Sequence, residues 1–139
     1  MSSGLEQFGR DLRGYLRTLP RVIGIAVVAE SADNFRRQGY ENDAGAVVPW
    51  APRKVAGKRK GRTNPRQRAI LVKTGRLRRS VRIVATTATS VTVGSSEAYA
   101  EAQQDGNGKL LARPFITLGR AAQQKLVRQI SGRIAALLK

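Results

Sequence analysis

The most constraining feature of this chain is a long interval without a carboxylate. After Asp43 the next acid is Glu97, and thirteen basic side chains stand between them. Their density peaks over 53–68, where Arg53, Lys54, Lys58, Arg59, Lys60, Arg62, Arg66 and Arg68 fill eight of sixteen positions. Val55 is the one large aliphatic side chain of that stretch, and Gly57, Gly61 and Pro65 punctuate it. Such a segment has too little apolar surface to offset the entropy of ordering, and its like charges repel. It reads as a loop or arm over 40–69, set within a single domain spanning 1–139. The eight cations are candidate contacts for an anionic partner, whether protein or DNA. A solvated loop with no dedicated partner is the plainer alternative.

The charge is unevenly placed elsewhere too. Residues 1–43 carry six basic and six acidic side chains, and from Lys109 onward there are seven basic residues and no acid. The net charge of +17 is therefore mid-chain and C-terminal. A domain with so basic a balance has the electrostatic footprint of a nucleic-acid binder. Binding of that kind would weaken steeply with salt, because each neutralised phosphate releases counterions. The seven aromatic side chains form no evident stacking platform, which argues against single-strand recognition.

The composition excludes several chemistries. There is no Cys, hence no disulfide framework, thiolate metal site or Cys nucleophile. There is no His, which removes the usual general base and the commonest metal ligand. Glu97 and Glu101 are spaced to share a helix face, but a metal nuclease needs more ligands, and Asp105 is the only other acid in the second half. Gly57-Lys58-Arg59-Lys60-Gly61 lacks the spacing and context of a phosphate-binding loop. No enzyme, cofactor or metal site is expected. No apolar run approaches the ~20 residues of a membrane span, so no membrane partner is expected. The first residues lack the basic and apolar regions of a secretory signal.

Periodicity supplies the elements. Leu5, Phe8, Leu12, Leu16 and Leu19 recur at helical steps, and Pro20 then suits the first turn of a new helix. Helices are expected near 4–17 and 20–38, or one kinked helix. Arg36-Arg37-Gln38-Gly39 reads as the stop. Trp50, between Pro49 and Pro52, reads as a plug that packs the loop onto the core. Thr74 is placed to cap a single helical turn ending at Ser80. Val81, Ile83, Val91 and Val93 are the inner face of an expected β-hairpin. A short helix over 97–104, an edge strand at Leu110-Leu111 and a last helix from near Thr117 complete the reading. The last helix is apolar at Leu118, Ala122, Leu126, Ile130, Ile134 and Leu137. The fold class is α+β, with N-terminal helices and a long C-terminal helix packed on a small antiparallel sheet.

An ordered series of short motifs adds to this. Leu71 precedes Thr74-Gly75-Arg76-Leu77-Arg78-Arg79-Ser80. The series continues through Val93-Gly94, Tyr99-Ala100, Gln104 and Gly106 to Ala112-Arg113-Pro114-Phe115. Asn34-Phe35, Gly39 and Pro49-Trp50-Ala51-Pro52 stand upstream. In this order, over 30–120, the chain resembles tailed-phage virion morphogenesis proteins, including the Mu-like tail completion proteins and related neck families. It departs from them where Gln103 stands in place of a common His and Asp105 is inserted before Gly106, and in its dense basic stretch. The resemblance implies a structural role as an oligomeric ring at the head–tail junction, in the neck or upper tail of the virion. The partners it implies are further copies of the chain, adjacent connector or neck proteins, tail-tube or tail-terminator proteins, and the DNA that passes through the channel. Trp50, Thr74, Gly75, Arg76, Leu77, Arg78, Tyr99, Arg113, Pro114 and Phe115 are the signature positions. Within them, Leu77 and Phe115 are expected in the core, Gly75 at a turn, and Tyr99 with its hydroxyl at the surface.

Overall fold

The computed structural model describes residues 3–52 and 69–139. The eight cations from Arg53 to Arg68 lie outside the described residues. The chain begins with α1 (Gly4–Leu16), opened by a reciprocal cap. The Ser3 hydroxyl accepts from the Glu6 N–H, and the Glu6 carboxylate accepts from the Ser3 N–H. A two-residue turn leads into α2 (Leu19–Arg37), with Pro20 in its first turn. The N-terminal pair is thus a bent helix, as the Pro20 position predicts.

α2 ends differently from expectation. The left-handed residue is Gln38, at φ 57°, and not Gly39. Gly39 already belongs to β1 (Gly39–Glu41), which pairs antiparallel with β2 (Val47–Pro49). This hairpin occupies a region read as irregular from sequence. Its strands have three residues each, too short to leave an alternating pattern.

After the basic segment comes α3 (Arg76–Ser80), then β3 (Arg82–Thr86) and β4 (Val91–Gly94). The β3–β4 hairpin forms where the two β-branched runs predict it, with an irregularity between Ile83 and Ala85 that leaves Val84 exposed. α2 crosses it at Gly24. A Cβ there would stand 2.7 Å from Val91 and 2.9 Å from Ile83, so the missing side chain sets how closely helix and hairpin meet. The architecture is α+β, with the strands divided between two separate two-stranded sheets.

α4 (Ala100–Asp105) starts later than expected, and Glu97 falls outside it. Glu97 and Glu101 therefore do not share a helix face. Glu97 instead pairs with Arg76 at 3.4 Å. Leu110 and Leu111 form no strand and are exposed. The last helix, α5 (Arg120–Leu137), begins after Gly119. Gly119 has no side chain to cap it, and the Glu41 carboxylate accepts the Ala121 N–H at 2.7 Å instead. A cap supplied from β1 is invisible to local sequence reading. The carboxylate also suits the positive end of the helix dipole.

The core is aromatic. Phe35, Trp50 and Phe115 are 3%, 4% and 1% exposed, joined by Leu77, Val81 and Ala100. Phe35 meets Trp50 edge-on at 5.4 Å between centroids and Phe115 at 5.7 Å. Trp50 is the expected plug, and Leu77 and Phe115 are core as expected.

Candidate functional site

The signature positions converge on the base of the basic segment. The described chain stops at Pro52 and resumes at Ala69. Two side chains hold these ends. Gln38 receives the Trp50 N–H on its main-chain carbonyl at 2.9 Å. Its side chain accepts the Ile70 N–H and donates to the Ile70 carbonyl at 3.3 Å. Gln38 thus bridges the departing and the returning chain. Arg113, 8% exposed, donates from Nε to the Ala51 carbonyl at 2.8 Å and from Nη2 to the Pro52 carbonyl at 3.2 Å. A buried guanidinium that satisfies two otherwise unpaired carbonyls is a fastener, and lysine could not reproduce its fork.

The segment from Arg113 to Thr117 has no regular structure; the Arg113 N–H donates to the Gln103 main-chain carbonyl at 2.8 Å, and side chains supply the hydrogen bonds beyond it. The Trp50 indole N–H donates to the Pro114 carbonyl at 2.7 Å. Fully buried Asn34 donates to the Phe115 carbonyl at 3.2 Å and to Thr117 Oγ1 at 2.8 Å. Gln104 Oε1 accepts from the Phe115 and Ile116 N–H groups at 2.9 and 3.0 Å, and its Nε2 donates to the Ile116 carbonyl at 2.9 Å. Buried main chain outside helix and sheet must find such partners. Trp50, Pro114 and Phe115, with Asn34 and Gln104, are therefore architectural positions. Asn34, Gln38 and Gln104 were not singled out as site residues from sequence, because an amide side chain carries no pattern until its acceptors are placed.

The remaining signature residues except Arg78 line a cavity of about 390 Å³. Thr74, Gly75, Arg76 and Leu77 form one wall, Tyr99 and Gln103 from the α4 region another, and Arg113 a third. Ile70, Leu71 and Lys73 complete it. Its entrance loop is bent by two left-handed residues, Leu71 at φ 60° and Gly75 at φ 73°. Gly75, not Thr74, is the N-cap of α3. The Thr74 hydroxyl accepts from the Arg76 N–H at 3.4 Å, one residue outside the cap position. The left-handed backbone at Gly75 displaces the start of the helix, and glycine takes that conformation without a steric penalty. Lys73, Arg76, Arg78 and Arg79 are exposed on this one segment, and Glu97 is the carboxylate that pairs with Arg76. Tyr99 is 46% exposed beside them. Gln103 Oε1 is buried and has no hydrogen-bond partner.

The electrostatics of the rest of the body match this cluster. Among the described residues, Arg120, Lys125, Arg128 and Arg133 of α5 make no ion pair. Among the described residues there is no group of three or more acids, Cys or His able to hold a metal ion. Among the described residues, no helix is long and apolar enough to cross a membrane.

Comparison with curated proteins and with solved structures gave no match. The model of the phage virion morphogenesis family matches residues 3–136. That match takes in the aromatic core, the fastened loop base and the cavity, together with both long helices, so the chain belongs to the phage virion morphogenesis family.

Proposed function

We propose that this protein is a tail completion or neck protein that assembles as a homo-oligomeric ring at the head–tail junction, with no catalytic activity. The match to the virion morphogenesis family over nearly the whole chain carries this reading. Two features of the surface support it. First, the helices leave apolar surface without cover: Leu5 and Leu16 on α1 and Val127 on α5 are 79%, 43% and 61% exposed. Apolar surface of this kind is where copies of a chain associate, and heterologous contacts close into rings when the rotation permits. Second, the cations of α5 and of the Lys73–Arg79 segment face outward, which suits acidic neighbours in a connector, tail tube or tail terminator, or DNA in a channel. The described chain on the two sides of the basic segment 53–68 is held by Gln38 and Arg113. The protein would then act in the neck or upper tail, after assembly in the host cytoplasm.

Light scattering on the purified chain, and electron microscopy of the chain mixed with isolated tails, test this directly. Rings, or density added at tail ends, are the expected result. A chain that stays monomeric at all concentrations and never associates with tails overturns it. Deleting 53–68 locates the contact: the body should fold as before while tail joining fails.

The unpaired cations of α5 also favour a second reading, a nucleic-acid-binding protein without catalysis. It predicts duplex affinity that falls linearly in log–log form with salt. An absence of binding at low salt removes it.

A further inference from the structure

α2 and α5 pack side by side and leave a groove of about 520 Å³ between them. Its walls are apolar and mostly small: Val22, Ile25 and Ala29 stand on α2, and Ala122 and Leu126 on α5. Ile25 is 55% exposed and Ala29 is exposed beside it, so the groove is open to solvent. Alanine in the walls lets a further helix come close. α1 has the complementary form. With 3.6 residues per turn, Leu5, Leu12 and Leu16 fall on one face of it, and Leu5 and Leu16 are exposed there. That face, from Leu5 to Leu16, and the α2 wall, from Val22 to Asp33, both run eleven residue steps, about 16 Å.

The charges match as well. On one flank of its apolar face α1 has Glu6 near its start, and Arg13 and then Arg17 at its end. α2 has Arg21 near its start and Asp33, half-exposed on the groove rim, near its end. Laid parallel to α2 in the groove, α1 meets opposite charge at both ends, Glu6 with Arg21 and Arg17 with Asp33. Laid antiparallel, it would set Arg17 beside Arg21 and Glu6 beside Asp33. Among the described residues Arg17 and Arg21 make no ion pair, and the Asp33–Arg36 pair is a weak surface one that leaves Asp33 able to accept a second cation.

We propose that α1 of one copy packs into the α2–α5 groove of the next copy, parallel to that copy's α2. The proposal rests on the assembly reading above and names the surfaces that join its subunits. The occupant cannot be the chain's own α1. In the parallel arrangement the end of α1 lies beside Asp33, fourteen residues and about 21 Å along α2 from Leu19. Leu16 and Leu19 are three residues apart, which spans at most about 11 Å. A second copy has no such tether. Helix face and groove are different surfaces of one chain, so the contact is heterologous. Each copy offers one helix and one groove, and the series closes when the rotation permits. One kind of contact then covers both apolar surfaces that the single chain leaves open.

The chain has no native Cys, so introduced cysteines report the contact in the full-length protein. One chain carries Leu16→Cys, and a second, enlarged by a tag, carries Ala29→Cys. Both positions are exposed, so the variants should keep the native circular dichroism spectrum. Mixed in a glutathione redox buffer, they should form a disulfide-linked heterodimer, because the parallel arrangement brings Leu16 to Ala29. Leu5→Cys mixed with Ala29→Cys should not. In sedimentation equilibrium, Ile25→Asp should weaken self-association roughly tenfold or more, because it puts a charge into an apolar contact. Arg17→Glu should weaken it about fivefold, and adding Asp33→Arg to the same chain should restore it, since every contact then holds the same pair reversed. Linkage at Leu5 and not at Leu16 overturns the proposal, as does unchanged self-association of Ile25→Asp or failure of the reversed pair to restore it. If Ile25→Asp self-associates normally yet no longer joins tails, a different protein occupies the groove and the proposal falls. The disulfide needs one contact between two copies and no ring. Rings that form without the Leu16-to-Ala29 linkage overturn only this inference. Linked copies that grow into open chains and never join tails overturn only the ring.

Discussion

Phe35, Trp50 and Phe115 are all but removed from solvent, whereas α1, a helix of thirteen residues, buries none of its side chains. The two regions are held by different means. The aromatic centre is fixed by side chains that bond specific main-chain groups: Trp50 to Pro114, Asn34 to Phe115, Gln104 to Phe115 and Ile116. α1 is held by its Ser3–Glu6 cap, a turn into α2 and partial packing against α5. A helix of this length is marginal in water without packing. The contrast teaches where each task resides. Stability and a unique arrangement belong to the centre, and spare apolar surface belongs to the outer helices.

The comparison can be broken by substitution. Phe115→Ala should cost the most, about 3–5 kcal/mol in denaturant unfolding, because it removes a fully buried ring that packs on Phe35. Asn34→Ala should cost about 1–3 kcal/mol by the same measurement, since it strands the Phe115 carbonyl in the core. Glu41→Ala should cost about 1 kcal/mol, and hydrogen exchange should show the loss at the start of α5, where Glu41 caps from another element. Leu5→Ala should change stability by no more than about 0.5 kcal/mol, because the side chain is exposed. It should nonetheless reduce association in light scattering. If Leu5→Ala destabilises the monomer as much as Asn34→Ala does, the division between centre and outer helices fails.

Much of this was legible in the sequence, for reasons that differ by element. α1 and α5 repeat apolar residues at helical steps over thirteen and eighteen residues, long enough for the period to stand out, whereas α2 is apolar nearly all round and is marked by its length and its Arg36-Arg37 stop. The β3–β4 hairpin shows as two β-branched runs around a polar turn. Trp50 as plug, and Leu77 and Phe115 as core, followed from their chemistry. The misses share one cause. β1 and β2 are too short for a pattern, the start of α5 depends on Glu41, and the start of α3 on a left-handed Gly75. The Glu97–Glu101 pairing failed because α4 begins at Ala100, after a segment tied to Arg76. At the site, the motif order pointed to Thr74–Leu77, Tyr99 and Arg113, but not to their meeting in one cavity. Gln38, Asn34 and Gln103 stand in or beside recognised motifs, but nothing in the sequence places their hydrogen-bond partners.

The sequence by itself determined the class of fold, the long helices, the absence of His and Cys chemistry, and a dense run of cations poor in apolar residues. These follow from composition and period, which are local properties. Only the tertiary structure decided what the polar side chains do. Gln38 and Arg113 become fasteners of the loop base, and Glu41 becomes a cap. An amide or a guanidinium has no fixed role along a chain. Its role is set by which main-chain groups the fold leaves unpaired within its reach.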